Sequence, residues 1–225
     1  MIRSKLNQIK NNIANSITIV AVSKTKPASD IMELYNHGQF HFGENKVQEL
    51  ILKSETLPKD IKWHMIGHLQ RNKVRAILPF IELIHSVDSI RLINKINQEA
   101  KIINRKINIL LQVKISKDIS KYGFDFNELE QILNSDLLNN LDFVNVVGLM
   151  GMASFSDDEI VIENEFINLN SIYNRFKAKH SFKVLSMGMS SDYEIAIKNG
   201  SNMLRLGSII SVSYTHLTLP TIALV

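Results

Sequence analysis

Lys24 is the residue whose type and position point most directly to chemistry. It comes two residues after the β-branched apolar run 17–22, which is typical of a short buried strand. A lysine held against the mouth of a buried sheet loses solvation, and this favours its neutral amine. A neutral amine can form a Schiff base with an aldehyde. The alternative is a lysine that points into solvent beyond the end of a strand.

Two groups of small residues near the end of the chain predict a phosphate-binding site. Ser190, Ser191 and Asp192 precede a helical pattern, and a helix start offers free N–H donors and a positive dipole end. Gly207 and Ser208 follow the last predicted strand and would add donors from the neighbouring loop. Each group has an ordinary alternative: the first is a helix N-cap and the second is a turn.

Arg205 is the second residue that could act on a cofactor. Its neighbours Met203, Leu204 and Leu206 are apolar, so we expect the arginine to project from a strand end. Arginine stays protonated and can only donate hydrogen bonds. Facing a pyridine nitrogen, it would leave that nitrogen unprotonated and the ring a weaker electron sink than an aspartate partner would. The alternative is a structural ion pair with a carboxylate.

Metal and thiol chemistry are not expected. The chain has no cysteine, which rules out disulfides, a thiolate nucleophile and a zinc site built from cysteines. His64 and His68 have metal-like spacing only within a helix, but they flank a predicted strand end and Gly67. We therefore expect no metal site and interpret His68 as a hydrogen-bond donor in a loop.

Strand and helix patterns alternate after an amphipathic N-terminal helix that carries Ile2, Leu6, Ile9 and Ile13. The predicted strands are 18–22, 40–42, 62–66, 83–86, 107–115, 144–149, 183–185 and 203–206. Eight strands that alternate with helices, without a linker, predict a single α/β domain, a (β/α)8 TIM-like barrel. A doubly wound parallel sheet is the alternative, because periodicity cannot show closure. The polar clusters follow the strands, where barrels carry their chemistry.

The domain is expected to span residues 1–211. Residues 212–225 lack charge and turn chemistry, and they resemble the translation of a sequencing adapter; the alternative is a genuine apolar strand. We expect no signal peptide and no membrane span, and we expect the protein in the reducing cytoplasm.

Composition argues against a dedicated nucleic-acid surface. The net charge is +4, and the basic residues are scattered among acidic ones. The basic cluster Arg71, Lys73 and Arg75 is interpreted as a solvated helix face, with an RNA- or protein-binding module as the alternative.

Seven segments between residues 17 and 210 carry the motifs of one family, in order. They are AVSKTKP (21–27), FGEN (42–45), WHMIGHLQRNK (63–73), HSVDS (85–89), GLM (148–150), LSMGMS (185–190) and MLRLGS (203–208). Together they resemble the pyridoxal phosphate homeostasis proteins, the single-domain relatives of the alanine racemase N-terminal barrel. The sequence departs from the family pattern at Lys46, where an aromatic residue is usual, and at Tyr122, where a small one is common.

The resemblance implies roles for individual residues. Lys24 matches the lysine that binds pyridoxal 5′-phosphate as a Schiff base, and Arg205 matches the arginine near the pyridine nitrogen. The other matches are the phosphate-binding positions Ser190, Gly207 and Ser208 and the pocket-lining positions Asn45 and Met187.

The resemblance implies a carrier of this vitamin B6 cofactor that buffers it and delivers it to apoenzymes, without established catalytic residues. The alternative is an amino-acid racemase, which needs an acid or base on each face of the substrate. Alanine racemases take the second group, a tyrosine, from another domain of the partner subunit. This chain is too short for that domain and has no tyrosine in a matching motif. We therefore expect a monomeric carrier.

Overall fold

The computed structural model of the chain describes residues 2–116 and 122–207, with side chains from residue 6 onward. Its strands are β1 (Thr18–Val22), β2 (His41–Glu44), β3 (Lys62–Met65), β4 (Ile81–Val87), β5 (Ile107–Val113), β6 (Val144–Gly151), β7 (Val184–Ser186) and β8 (Met203–Leu206). Its helices are α1 (Ile2–Asn12), α2 (Ala28–Tyr35), α3 (Val47–Thr56), α4 (Val74–Ile77), α5 (Ile90–Ile102), α6 (Phe126–Asn134), α7 (Glu159–His180) and α8 (Tyr193–Lys198). Two short 3₁₀ turns lie at Arg71–Lys73 and Leu138–Asn140.

The strands form one closed parallel barrel in chain order. The pairing that closes it joins β1 to β8 and places Val20 opposite Arg205. In a doubly wound sheet the first and last strands would not meet in this way. The predicted (β/α)8 barrel with an N-terminal helix is therefore confirmed, and the open sheet is excluded.

Strand ends differ from the predicted ones where hydrogen bonding, not apolar character, sets the limit. β6 continues to Gly151 because its pairing with β5, after a register shift between Ile109 and Leu110, extends to Val113 opposite Gly151. β5 stops at Val113, two residues earlier than predicted, because the Lys114 N–H donates to the Phe124 carbonyl instead of continuing the ladder.

The interior of the barrel is only partly apolar. Side chains alternate along a strand, so one set points inward and the other faces the helices. The inward apolar set forms a small cluster that contains Val20, Leu83, Leu110, Met150 and Met203. The same interior also holds buried polar side chains, among them His64, His85, Ser186 and Arg205.

The larger apolar core lies between the barrel and its helices. The stripe on α7 shows how the helices contribute, since Phe166, Leu169, Tyr173 and Phe176 are all buried. In the described part of the chain, no helix is both long and apolar enough to cross a bilayer. Ser208 and the predicted tail 212–225 lie outside the described residues.

Candidate functional site

The predicted site residues come together at the C-terminal end of four neighbouring strands. β1 lies between β8 and β2, and β8 also pairs with β7. Lys24 follows β1, Asn45 follows β2, and Gly207 follows β8. Because parallel strands share one C-terminal edge, these residues meet at one mouth of the barrel. Ser190 joins them from the loop after β7, since its Oγ accepts a hydrogen bond of 3.2 Å from the Gly207 N–H.

Ser23 anchors the loop that presents Lys24. The Ser23 N–H donates to the Gly43 carbonyl at 2.9 Å, which extends the pairing of β1 with β2 by one bond. The Ser23 hydroxyl donates to Glu44 Oε1 at 2.6 Å, and the Ser23 carbonyl accepts from Lys53 Nζ at 2.8 Å. Three bonds in different directions therefore fix the residue that directly precedes Lys24.

Thr25 fixes the other side of this loop. Its φ is +63°, a left-handed value that is strained for a β-branched residue. The Thr25 N–H donates to Glu49 Oε2 at 2.9 Å, and this bond is the main cause of the lowered pKa of Glu49. Lys24 itself is exposed, so the expected loss of solvation is not seen. The buried position at the end of β1 belongs to Ser23.

Glu44 is the ionisable group most deeply buried beside the loop. Its side chain is fully buried and forms an ion pair of 2.7 Å with Lys53 Nζ. Burial raises the pKa of the Glu44 carboxyl, while hydrogen bonds from Lys53 and Ser23 act in the opposite direction. Glu44 Oε2 has no hydrogen-bond partner among the described residues. This pair is not predicted from the sequence, although Glu44 lies in the FGEN motif and Lys53 follows nine residues later.

The predicted phosphate-binding loop is compact. Its helix begins at Tyr193, as the pattern Ser190–Asp192 predicts. The Met189 N–H donates to the buried carboxylate of Asp192 at 2.5 Å, which closes the turn. Gly188 has φ +95°, and a Cβ there would lie 2.6 Å from the Cβ of Ala196, so only glycine fits.

Arg205 lies inside the barrel, below this loop, and is 4% exposed. Its Nη1 donates to the Ser186 carbonyl at 2.9 Å and to Ser186 Oγ at 2.7 Å, and its Nη2 donates to the Gly151 carbonyl at 2.9 Å. Burial lowers the pKa of Arg205 to about 10, while the charge of Asp192 acts in the opposite direction. The guanidinium is thus charged at neutral pH and held by neutral oxygens.

Asn45 and Met187 differ in their position relative to the mouth of the barrel. Asn45 is half-buried, and its backbone lies so close to Gly67 that a Cβ there would come within 2.3 Å of the Asn45 oxygen. Met187 is fully buried in the core between barrel and helices. Its neighbour Ser186 takes the inward position.

The two histidines of the WHMIGH segment have separate environments. His64 is buried between His41 and His85, at 2.9 Å from each. His68 is exposed; its Nδ1 lies 3.1 Å from Asp88 Oδ2, and its ring stacks on Tyr122 with centroids 4.1 Å apart. Within residues 2–116 and 122–207, no three metal-ligating side chains are grouped to hold an ion. The predicted basic cluster is on the surface, where Arg71 and Arg75 are exposed.

Comparison with protein families gives one match over nearly the whole chain. The family model described as the alanine racemase N-terminal domain matches residues 1–214. A pyridoxal phosphate homeostasis protein of Helicobacter pylori is 40% identical over 196 residues, which cover 86% of each chain. The human protein of the same name is 38% identical over 208 residues, covering 85% of this chain and 74% of its own.

Comparison with solved structures gives the same fold. PipY of Synechococcus elongatus, in a structure with PLP bound, superposes with a TM-score of 0.85 at 33% identity and covers 93% of this chain and 99% of its own. The alanine racemase of Clostridium difficile superposes with a TM-score of 0.78 at 17% identity. This chain spans 57% of that racemase, so this similarity concerns the barrel alone.

Proposed function

We propose, because this chain belongs to the family of pyridoxal phosphate homeostasis proteins, that it binds pyridoxal 5′-phosphate and carries it for delivery to apoenzymes. The observation that supports this most strongly is the convergence of Lys24, the Ser190–Gly207 contact and Arg205 at one end of the barrel. The Lys24 amine matches the aldehyde of this cofactor, and the Arg205 guanidinium matches its ring nitrogen. The Ser190–Gly207 contact, which we call the cradle, matches its phosphate. The PLP-bound structure of PipY, a relative at 33% identity, supports the same ligand.

The residues of the mouth fit such a group. Lys24 is exposed and stands on a loop fixed on both sides, so its amine can reach an aldehyde without rearrangement of Ser23 or Thr25. When the cofactor is bound, the amine and the aldehyde form a C=N bond and release one water. Gly207 keeps the backbone open, since a Cβ there would lie 3.3 Å from the Cβ of Val22.

The cradle offers donors to a phosphate. Ser190 Oγ accepts from the Gly207 N–H, which places a hydroxyl, a group that can donate to an anion, beside the loop after β8. Ser208, one residue further along, is proposed to add a donor, and Asn45 is proposed to border the pocket. Met187, whose side chain is buried in the core, is proposed to border it through its backbone. We propose no metal and no catalytic residue.

Arg205 favours a carrier over a racemase. A permanently protonated guanidinium can donate to the ring nitrogen but cannot accept its proton. A ring whose nitrogen stays unprotonated withdraws electrons weakly, which disfavours removal of an α-proton from a bound amino acid. Carriage and release need no such withdrawal. We propose that the carrier acts as a monomer in the cytoplasm.

The first experiment is a visible absorbance spectrum with added pyridoxal 5′-phosphate, followed by borohydride reduction and peptide mapping. We expect a yellow band in the wild type and label trapped on Lys24. Lys24→Ala should lose both, whereas Lys26→Ala, in the same loop, should keep both. Labelling spread over surface lysines, or an unchanged band in Lys24→Ala, would contradict the assignment.

A second experiment separates the two functions. A carrier should restore an apoenzyme without consuming amino acids, and the Lys24→Ala protein should not. A racemase should exchange the α-proton of L-alanine for deuterium. Deuterium exchange at catalytic rates would overturn the carrier proposal, and sedimentation at the mass of a dimer would contradict the monomer.

A further inference from the structure

A continuous chain of hydrogen bonds crosses the interior of the barrel from His41 to Arg205. His41 Nδ1 lies 2.9 Å from His64 Nε2, and His64 Nδ1 lies 2.9 Å from His85 Nε2. His85 Nδ1 lies 3.1 Å from Ser186 Oγ, which accepts a bond of 2.7 Å from Arg205 Nη1. These residues come from β2, β3, β4, β7 and β8, so the chain spans the barrel. We refer to His41, His64, His85 and Ser186 as the relay.

The direction of every bond in the relay follows from Arg205. Because a guanidinium can only donate, Ser186 Oγ accepts from it. Among the described residues, His85 Nδ1 is the acceptor within reach of the Ser186 hydroxyl hydrogen, so Ser186 donates to His85. A neutral imidazole has one donor and one acceptor nitrogen, so His85 must carry its proton on Nε2. The same argument assigns Nε2–H to His64 and then to His41.

The surroundings keep the relay histidines neutral. Burial lowers the pKa of His85 strongly, and the neighbouring charges, including Arg205, act in the same direction. Burial also lowers the pKa of His64, and it lowers that of His41, which is half-buried at the outer end. The charged side chains that face His41 are Lys62, Glu82 and Lys10; of these, only Glu82 favours its cation. An imidazolium inside the relay would place two donors against each other.

We propose that the relay residues are positioning residues that act through Arg205. Since the Ser186 hydrogen is committed to His85, the lone pairs of Ser186 Oγ are kept for the guanidinium. The Ser186 and Gly151 carbonyls then fix the plane of the guanidinium before any ligand arrives. This inference rests on the proposed function for the identity of the group that Arg205 faces. The direction of the hydrogen bonds in the relay does not depend on that function.

The test begins with the cofactor-free protein, labelled with ¹⁵N at histidine and arginine. Long-range ¹H–¹⁵N spectra should show His41, His64 and His85 as neutral Nε2–H tautomers. A proton on Nδ1 of any of the three at pH 8 overturns the proposal. This measurement needs no variant, so it stands even if a substitution prevents folding.

Two variants test the direction of the relay. In Ser186→Ala, His85 loses its donor, and its single tautomer should give way to a mixture. The Arg205 Nη–H groups should also rotate about tenfold faster, as expected for the loss of one hydrogen bond. In His41→Gln, which cuts the outer end, His64 and His85 should keep Nε2–H. A tautomer change at His64 or His85 in His41→Gln would mean that His41, and not Arg205, sets the direction of the hydrogen bonds. This result would overturn the proposal.

Ser201→Ala is the matched control. Ser201 is also a buried serine in the β7–β8 region, and its hydroxyl contacts only the carbonyls of Leu185, Met187 and Met203 in the described structure. Its loss should lower stability but leave the histidine tautomers and Arg205 rotation unchanged. If Ser201→Ala and Ser186→Ala changed the tautomers and the Arg205 rotation equally, the effects would come from lost packing and not from the relay. This result would overturn the proposal.

The cofactor then gives a separate readout. With pyridoxal 5′-phosphate bound, the pH midpoint of the visible band should shift in Ser186→Ala and not in Ser201→Ala. An unshifted midpoint overturns the claim that the relay acts on the environment of the cofactor. If the wild type shows no band, the proposed function fails, while the tautomers and the rotation of Arg205 still decide the relay.

Discussion

Replacement of Lys53 by methionine should destabilise the protein through the charge left on Glu44. Methionine keeps the unbranched stem of lysine but lacks the ammonium group that donates to both Glu44 and Ser23. Removing one partner of a buried ion pair costs about 3–5 kcal/mol. Lys53 is 12% exposed, so we expect the lower limit, about 3 kcal/mol. For a chain of 225 residues this lowers Tm by about 6–12 °C, which thermal unfolding by circular dichroism can measure.

The destabilisation should depend on pH. Burial raises the pKa of Glu44, and loss of Lys53 raises it further. The folded variant then binds this proton more tightly than the unfolded chain does, so ionisation of Glu44 lowers the free energy of unfolding. The deficit relative to wild type is fully present above the raised pKa and is lost as pH falls through it. Denaturant unfolding of both proteins between pH 8 and pH 5 measures this difference.

The double variant tests the cause. Because Glu44→Gln removes the buried charge, we expect Glu44→Gln/Lys53→Met to recover most of the stability lost in Lys53→Met. A deficit below about 1 kcal/mol, the usual contribution of an exposed pair, would refute the reasoning because it would mean that solvent screens Glu44. A deficit that stays constant with pH would refute it as well.

Three further predictions concern other parts of the barrel. Gly67→Ala should weaken pyridoxal 5′-phosphate binding in an absorbance titration, because its Cβ would displace the Asn45 backbone; Gly38→Ala, where nothing lies within 4 Å, should not. Asp125→Ala removes the capping box of α6 and should cost about 1 kcal/mol in denaturant unfolding. The two fully buried relay histidines have lowered pKa values, so the folded state binds fewer protons than the unfolded chain. The stability they contribute is present above about pH 6.5 and should be lost below it, by about 2.7 kcal/mol per pH unit in a urea series; a flat profile would contradict their burial in neutral form.

The sequence predicts the fold well because each strand has a local residue pattern that indicates it. Short β-branched runs separated by helical stripes place all eight strands within a few residues. Closure is not local, since it depends on the hydrogen bonds between β1 and β8. The (β/α)8 prediction therefore rests on the number of strands and on the family resemblance.

The site is predicted only in part, for the same reason. Lys24 and Arg205 lie in motifs and at strand ends, so type and position are enough to select them. Glu44, Lys53 and the relay act through contacts that the linear order hides, and His85 meets a partner 101 residues away. Met187 shows the opposite difficulty, since its motif matches a pocket-lining position, whereas its side chain, directly after β7, is buried in the core.

Two separate networks hold the opposite ends of the proposed pocket. Glu44, Lys53 and Glu49 fix the loop that carries Lys24, whereas Ser186 and its histidines fix Arg205. Both networks are formed by the protein's own residues, so cofactor binding needs little reorganisation at either end. The cofactor is therefore expected to bind and leave at the exposed Lys24 and the Ser190–Gly207 contact, without displacing the residues that hold Arg205. A pocket that keeps its shape when empty suits repeated loading and release, because neither step has to refold the loop or turn the buried arginine.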